Sequence, residues 1–136
     1  MIDIGIVEAR IKRQKVAEQA GEYFVPREAI RSRIGALKDR VDEQFLFGIF
    51  KNNDMWTALS VNKIVGCYDG ALSELIIQNE SEVFHDYFID DEGKKKSDII
   101  LADGRRFWMM SIGISCSFQN IILMLQGLPD DIRLDE

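Results

Sequence analysis

The feature that most constrains this chain is a series of short β-like runs that leads into a single amphipathic helix. From Phe45 to Met110, apolar runs are repeatedly interrupted by turn residues. Phe118–Gln126 then places Phe, Ile and Leu at the spacing of one helix face. A helix with such a face can cover an antiparallel sheet, whose apolar face would otherwise lie in water. We therefore predict an α+β fold in which a C-terminal helix closes a bent antiparallel sheet.

The β-like runs divide into about seven predicted strands, because Asn, Asp and Gly clusters separate them. Asp69-Gly70 and Asp103-Gly104 are hairpin signals, since these residues tolerate the backbone of tight turns. One run, Val83–Ile89, also has aromatic residues at helical spacing, so strand and helix both stay open there. The predicted strands are Gln44–Lys51, Met55–Ser60, Lys63–Tyr68, Leu72–Gln78, Val83–Ile89, Ser97–Leu101 and Arg105–Met110.

Two further helices are predicted before the strands. The first covers Asp3–Ala20, with Asp3 as its N-cap and Gly21 as its stop. The second covers Arg27–Val41, and its apolar residues fall at helical spacing: Ile30, Ile34, Leu37 and Val41.

Sequence signals mark both ends of the predicted closing helix. Ser115 or Ser117 is its expected N-cap, and Gly127 is its expected C-terminal stop. Its outer side, with Leu123 and Met124, is also apolar and needs a cover. The helix predicted at Arg27–Val41 is one candidate for that cover, and a partner surface is the other.

The 136 residues predict a single domain, 1–136. Within it, 1–42 is the helical N-terminal segment, 43–127 is the β region with the closing helix, and 128–136 is an acidic tail. The chain has no apolar run of bilayer length and no basic start of a secretory signal. Its two cysteines are too few for a disulfide framework. We therefore expect a cytoplasmic protein.

Two stretches carry a resemblance to a known family. FGIFKNNDMWTALSVNKIVGCYDG resembles the opening strands of bacterial pleckstrin-homology-like (PH-like) domains, and DIILADGRRFWMM with its following helix resembles their close. The resemblance lies in the order of elements, covers 43–127, and leaves the two N-terminal helices as an addition. It implies a bent barrel of about seven strands plugged by the last helix. A different α+β sheet capped by helices would have the same pattern.

Charge is unevenly spread along the chain, whose net charge is −6. Residues 1–41 carry nine Lys/Arg against six Asp/Glu, and the rest carries eight against seventeen. The acidic majority argues against a nucleic-acid binder, which must neutralise phosphates. The asymmetry predicts that the first third lies against the acidic remainder or an acidic partner. Arg27 and Arg31, which border the predicted apolar stripe, are therefore candidate binding residues.

A second group of cations lies near the two last predicted hairpins. If those hairpins are neighbours, their cations form a basic patch for an acidic protein or, less favoured, a lipid headgroup. The alternative is a charged turn beside a strand edge that cations protect. The candidate residues are Lys94, Lys95, Lys96, Arg105 and Arg106.

No motif in the sequence predicts catalysis. His85 beside Asp86 is not a catalytic pair, because adjacent residues point apart on a strand. Cys67 is expected to be a core thiol, whereas Cys116 would sit at a helix start that favours a thiolate. One histidine and two scattered cysteines cannot form a zinc site. Glu92-Gly93-Lys94 resembles half of a nuclease metal site, but it lies on a charged turn.

These observations leave two main functions, both without a cofactor or metal. The first is a non-catalytic protein-interaction module of PH-like type, which binds another protein or a second copy. The second is a small acidic immunity or inhibitor protein that neutralises a toxin by direct binding. Acid clusters at 90–92 and 130–131 suit the second function. A pocket that gathers His85, Cys116 or several carboxylates would instead indicate an enzyme.

Overall fold

A computed structural model of the chain describes residues 4–77, 83–101 and 103–126. In these residues the fold is α+β, with eight antiparallel strands in two sheets and four α helices. The helices are α1 (Ile4–Arg13), α2 (Val16–Ala20), α3 (Ile30–Arg33) and α4 (Ile112–Gln126). The strands are β1 (Phe24–Pro26), β2 (Phe45–Asn52), β3 (Met55–Ser60), β4 (Lys63–Tyr68), β5 (Ala71–Ile76), β6 (Val83–Ile89), β7 (Lys95–Leu101) and β8 (Arg106–Phe107).

The strands form a five-stranded sheet, β1-β2-β3-β4-β5, and a three-stranded sheet, β6-β7-β8. The two sheets meet where β8 crosses β4, and the Thr57 hydroxyl of β3 donates a hydrogen bond to the carbonyl of Trp108 at 2.7 Å. The approach is close, because a Cβ placed on Gly66 would lie 2.8 Å from the Phe107 ring. No strand pairing within the described residues joins the sheets into a closed barrel. The prediction of an antiparallel α+β fold with a closing helix is confirmed.

Most strand predictions agree with the structure. Val83–Ile89, left open between strand and helix, is strand β6 and pairs in continuous register with β7. Asp69 and Gly70 both have positive φ, 50° and 85°, as a tight two-residue hairpin requires. In place of the predicted strand Arg105–Met110 the structure has the much shorter β8, which ends at Phe107. Beyond it, the Met109 N–H donates a hydrogen bond to the side chain of Asp98. Strand β1 was not predicted.

The N-terminal helix predicted over Asp3–Ala20 is broken into α1 and α2. Lys15 between them has a φ of 57°, the left-handed conformation that interrupts an α-helix. The break leaves the carbonyl of Gln14 to accept hydrogen bonds from the Ser117 hydroxyl of α4 at 3.2 Å and from the Gln19 amide at 2.9 Å. Side chains distant in sequence therefore stabilise a kink that periodicity does not reveal. Asp3, the predicted cap, lies outside the described residues.

The single helix predicted over Arg27–Val41 is wrong. In its place are α3 and two 3-10 turns, because Ile34 is extended (φ −103°, ψ 91°) and interrupts the helix. Ile30, Ile34 and Leu37 are nevertheless buried, as the apolar stripe predicted, whereas its fourth member, Val41, is 68% exposed. They pack on the face of the five-stranded sheet that carries Trp56, Ala58 and Val65.

The closing helix is confirmed, but it begins six residues before the predicted Phe118. Its first turn is capped by the Ser111 hydroxyl, which accepts the N–H of Ile114 at 3.1 Å. Ser115 and Ser117, the predicted caps, are buried positions inside the helix. The predicted stop at Gly127 and the acidic tail 128–136 lie outside the described residues.

The main core lies between the two sheets and under α1, α2 and α4, where Phe47 and Phe118 pack with ring centroids 5.1 Å apart. The outer side of α4 is covered in part, by the N-terminal helices and not by residues 27–41, so that prediction is corrected. Met124 is partly buried next to Arg10 and Arg13 of α1, whereas Leu123 is exposed. No helix in the described part of the chain has the length and apolar character needed to cross a membrane.

Candidate binding surface

The structure separates the cations that the sequence grouped near the last hairpins. Lys95 and Lys96 begin β7, with Lys94 in the turn before it, whereas Arg105 follows the other end of that strand. Six residue steps along a strand span about 20 Å, so the two hairpin turns lie far apart. Arg106 lies on β8, opposite Ile100 of β7, and its side chain points into the space between the sheets. The five residues therefore do not form one basic patch.

Most of these cations also have an acidic partner nearby. Lys94 lies 3.4 Å from Glu92, Lys96 lies 4.0 Å from Asp90, and Arg105 bonds Asp103 at 2.8 Å. Arg105 also donates to the backbone carbonyl of Glu74 on β5 at 2.6 Å. The positive charge at both turns is thus largely balanced by the acidic residues of the same turns.

Arg27 and Arg31 stabilise the N-terminal segment. Arg27 forms an ion pair with Glu8 of α1 at 3.5 Å. Arg31 donates to three carbonyls of the loop before β2, those of Arg40, Val41 and Glu43, at 2.9–3.1 Å. Both side chains therefore have clear structural roles.

A surface that the sequence did not single out is the outer edge of β6. The Asp90 N–H bonds the Lys94 carbonyl, so the backbone of Asp90 points toward β7. Because antiparallel strands alternate, the backbones of Phe88 and Asp86 also point toward β7, while those of His85, Tyr87 and Ile89 point outward. Within the described ranges, no hydrogen bond satisfies those outward groups.

Three consecutive large side chains on β6 are also exposed to solvent. Their exposed fractions are 61% for Tyr87, 37% for Phe88 and 69% for Ile89. The β6–β7 register is continuous over seven pairs, without a bulge that would twist the edge away. A long, regular, apolar strand edge of this kind is a template for pairing with another chain. We call the outward backbone of β6 with Tyr87, Phe88 and Ile89 the β6 edge.

The β6 edge is supported from the inner face by Arg106. Its guanidinium bonds the carboxylate of Asp98 at 2.9 Å, forms an ion pair with Asp86, and lies over the rings of Tyr68 and Phe88 at 5.5 and 5.9 Å. Burial raises the pKa of the Asp98 carboxyl, and hydrogen bonds from Arg106 and the Met109 N–H oppose that shift. Asp86, the one charged residue of β6, is therefore ion-paired with an arginine that it shares with Asp98.

A cleft of about 410 Å³ opens between the two sheets beside this cluster. Its walls are aromatic, with Tyr23 and Trp108 in edge-to-face contact at 6.2 Å. Its rim mixes the cations Lys51, Lys94 and Lys96 with the acids Asp90 and Glu92. Because the rim carries charges of both signs, the cleft does not select a ligand of one charge.

His85 lies in a hydrogen-bonded cluster that ties the three-stranded sheet to α4. Its Nδ1 lies 2.7 Å from the Ser115 hydroxyl, its Nε2 contacts Gln119, and Ser97 donates to Ser115 at 3.3 Å. A Ser–His pair can act as nucleophile and base, but Ser115 is fully buried. With no access for a substrate, the cluster is a polar contact between sheet and helix.

The two cysteines do not join this cluster. Cys67 is buried on β4, as expected, and burial raises the pKa of its thiol. Cys116 is exposed on α4, one turn after the start of the helix.

Neither a metal cluster in the described part of the chain nor a match to a known protein identifies the site. Among residues 4–77, 83–101 and 103–126, no three His, Cys, Asp or Glu side chains lie together as metal ligands. No protein-family model, no curated protein and no solved structure matches this chain.

Proposed function

We propose that this chain is a non-catalytic protein-binding module that pairs an extended segment of polypeptide with the β6 edge. The observation that carries the proposal is the outward backbone of His85, Tyr87 and Ile89 on a regular strand with exposed apolar side chains. Strand addition of this kind takes its affinity from main-chain hydrogen bonds and its specificity from alternating side chains.

The order of elements supports a PH-like relationship for this module. Strands β2 to β8 run in sequence order before the closing helix α4, as in the PH-like resemblance. The N-terminal segment adds β1 and three short helices to that arrangement. The relationship is part of the proposal, and the β6 edge does not depend on it.

A display selection of extended peptides tests the proposal. Random peptides of about ten residues are selected against the full chain at nanomolar concentration, and bound peptides are then measured against two variants. We expect Tyr87→Lys to weaken binding at least about tenfold, because it places a charge and a flexible side chain on the pairing edge. Leu72→Lys on β5 is the matched control, since Leu72 is 66% exposed and Tyr87 is 61% exposed.

Hydrogen exchange of the complex gives a second readout. A paired strand protects the amides of His85, Tyr87 and Ile89, which are outward in the free chain. Peptides that bind equally to the Tyr87→Lys variant, or protection confined to other strands, would contradict the proposal.

The inhibitor hypothesis has less support from the described residues. The acidic turn at 90–92 is partly neutralised by Lys94 and Lys96, and residues 130–131 lie outside the description. A basic toxin remains one kind of protein that the selection and salt dependence would detect. We therefore place it after the strand-pairing function.

A further inference from the structure

We infer that the segment that pairs with the β6 edge is the β6 strand of a second copy of this chain. The two sheets of three strands would then form one six-stranded antiparallel sheet around a two-fold axis. This inference rests on the proposed function and names its partner. Its first support is that the one charged residue of β6, Asp86, already has an ion-pair partner in its own chain, Arg106.

The second support is the alternation of backbone groups. A two-fold axis places β6 antiparallel to the β6 strand of the second copy. The two strands can then form hydrogen-bonded pairs only between residues whose backbone groups point outward in both copies. The outward residues of β6 satisfy this when Tyr87 faces Tyr87 of the second copy, and His85 then faces Ile89. The strand edge is therefore complementary to itself in hydrogen bonding.

The third support comes from side chains, which select one register over its neighbour. If the axis passed through Asp86, the two Asp86 carboxylates would face each other, and directly opposed like charges destabilise a sheet. With the axis at Tyr87, Phe88 faces Asp86 of the second copy, next to the Arg106 that already lies over Phe88 in its own chain. Each of the three exposed side chains of β6 then lies opposite a side chain of the second copy.

The interface is small, so we expect a weak dimer. One strand pair with its side chains covers less than the roughly 1,600 Å² typical of stable complexes. Each copy also carries a net charge of −6, which opposes association until salt screens it. Self-pairing should therefore strengthen as salt rises, whereas binding to a basic partner should weaken.

Sedimentation equilibrium of the full chain over a range of concentrations tests the inference. We expect reversible dimerisation that tightens between low and moderate salt. Tyr87→Lys should weaken it at least about tenfold, because two lysines would meet on the axis, and Leu72→Lys should leave it unchanged. If Tyr87→Lys lowers the unfolding midpoint of the chain, Ile89→Lys replaces it as the variant of the β6 edge.

Cross-linking tests the register. In a Cys116→Ser background, Tyr87→Cys places two thiols across the axis with Cα atoms about 5.5 Å apart, within disulfide range. Leu72→Cys in the same background is the control. We expect a covalent dimer from the first variant and none from the second.

The outcomes separate the inference from the function on which it rests. A chain that stays monomeric at high concentration, or a dimer that Tyr87→Lys leaves intact, would overturn the second copy as the partner. Selected peptides that still require Tyr87 would then keep the protein-binding function, with another protein as occupant. If neither dimerisation nor peptide binding depends on Tyr87, both proposals are rejected.

Discussion

The strands β5 and β6 both lie at the edge of a sheet, and both expose large apolar side chains. Leu72 and Ile76 of β5 are 66% and 47% exposed, similar to the side chains of β6. The two strands differ in whether their outward backbone groups have hydrogen-bond partners. On β5 the Ile77 N–H points toward Asn62, so the Glu74 backbone points outward, and its carbonyl accepts the Arg105 guanidinium at 2.6 Å.

The comparison shows that exposed apolar side chains do not by themselves define a binding edge. Both edges have them, but the middle of β5 is occupied by a cation and its Glu74 side chain is held by Arg40. Cations and occupied carbonyls are common ways in which proteins protect sheet edges from pairing. The β6 edge has no such protection among the described residues, and this difference makes it the candidate surface.

The largest expected effect is the difference in stability between two single proline variants of β6. One places proline at a position whose backbone points toward β7, and the other places it at the adjacent position whose backbone points outward. Phe88→Pro should lower the free energy of unfolding by about 2–4 kcal/mol, because it removes a ladder hydrogen bond to β7 and the ring contact with Arg106. Tyr87→Pro should cost less than about 1 kcal/mol, since its N–H points outward. Urea unfolding of both variants measures the difference. Equal costs would show that the assignment of inward and outward residues is wrong.

Removal of the charge beneath the β6 edge should have the next largest effect. Asp98→Asn leaves Arg106 with Asp86 as its remaining carboxylate, so we expect a loss of about 1–3 kcal/mol in urea unfolding. Asp103→Asn, in an exposed turn, is the control and should cost much less. A neutral result for Asp98→Asn would mean that the Arg106 cluster does not stabilise the three-stranded sheet.

Arg105→Ala tests what protects β5. The expected loss of stability is below about 1 kcal/mol, because the side chain is exposed. The informative change is a new association through β5, measured by cross-linking of a Leu72→Cys, Arg105→Ala double variant in the Cys116→Ser background. If that variant stays monomeric, the Arg105 contact is not what distinguishes β5 from β6.

The smallest expected effects are in the pH dependence of stability. The pKa values of Asp90 and Asp103 are lowered, chiefly by hydrogen bonds from the N–H groups of Lys94 and Arg105, so their contributions are present above about pH 3.9 and are lost as pH falls further. The pKa of Asp98 is raised by burial, so its contribution has the opposite sign and is lost as pH rises through the folded value. Carboxyl carbon NMR should show Asp98 titrating above the two turn residues. The reverse order would contradict the burial of Asp98.

Most strand boundaries could be predicted from the sequence because their signals are local. Asp69-Gly70 needs only its own backbone preference to form a hairpin, and β3, β4 and β6 match their predicted ranges. The β6 edge was hidden, because an apolar strand with residues on both alternating faces has the same pattern when it is buried on both sides.

The N-terminal region could not be predicted because distant residues determine it. Beside the break at Lys15 the Gln14 carbonyl accepts a hydrogen bond from the distant Ser117, and the segment 27–37 follows the face of a sheet formed later in the chain. The sequence predicts too late a start for α4 for a related reason. Ser115 lies inside the helix with His85 as its partner, whereas a serine in sequence signals a helix cap.

Gly66 sets the distance between the two sheets, and this has a consequence for how the chain can change in evolution. A single methyl group there would meet the Phe107 ring at 2.8 Å and the Trp56 carbonyl at 3.3 Å. The ring and the carbonyl are both buried, so neither can move freely. Homologous chains should therefore keep glycine at this position or change it together with the residue at 107, and that paired pattern is a way to recognise them.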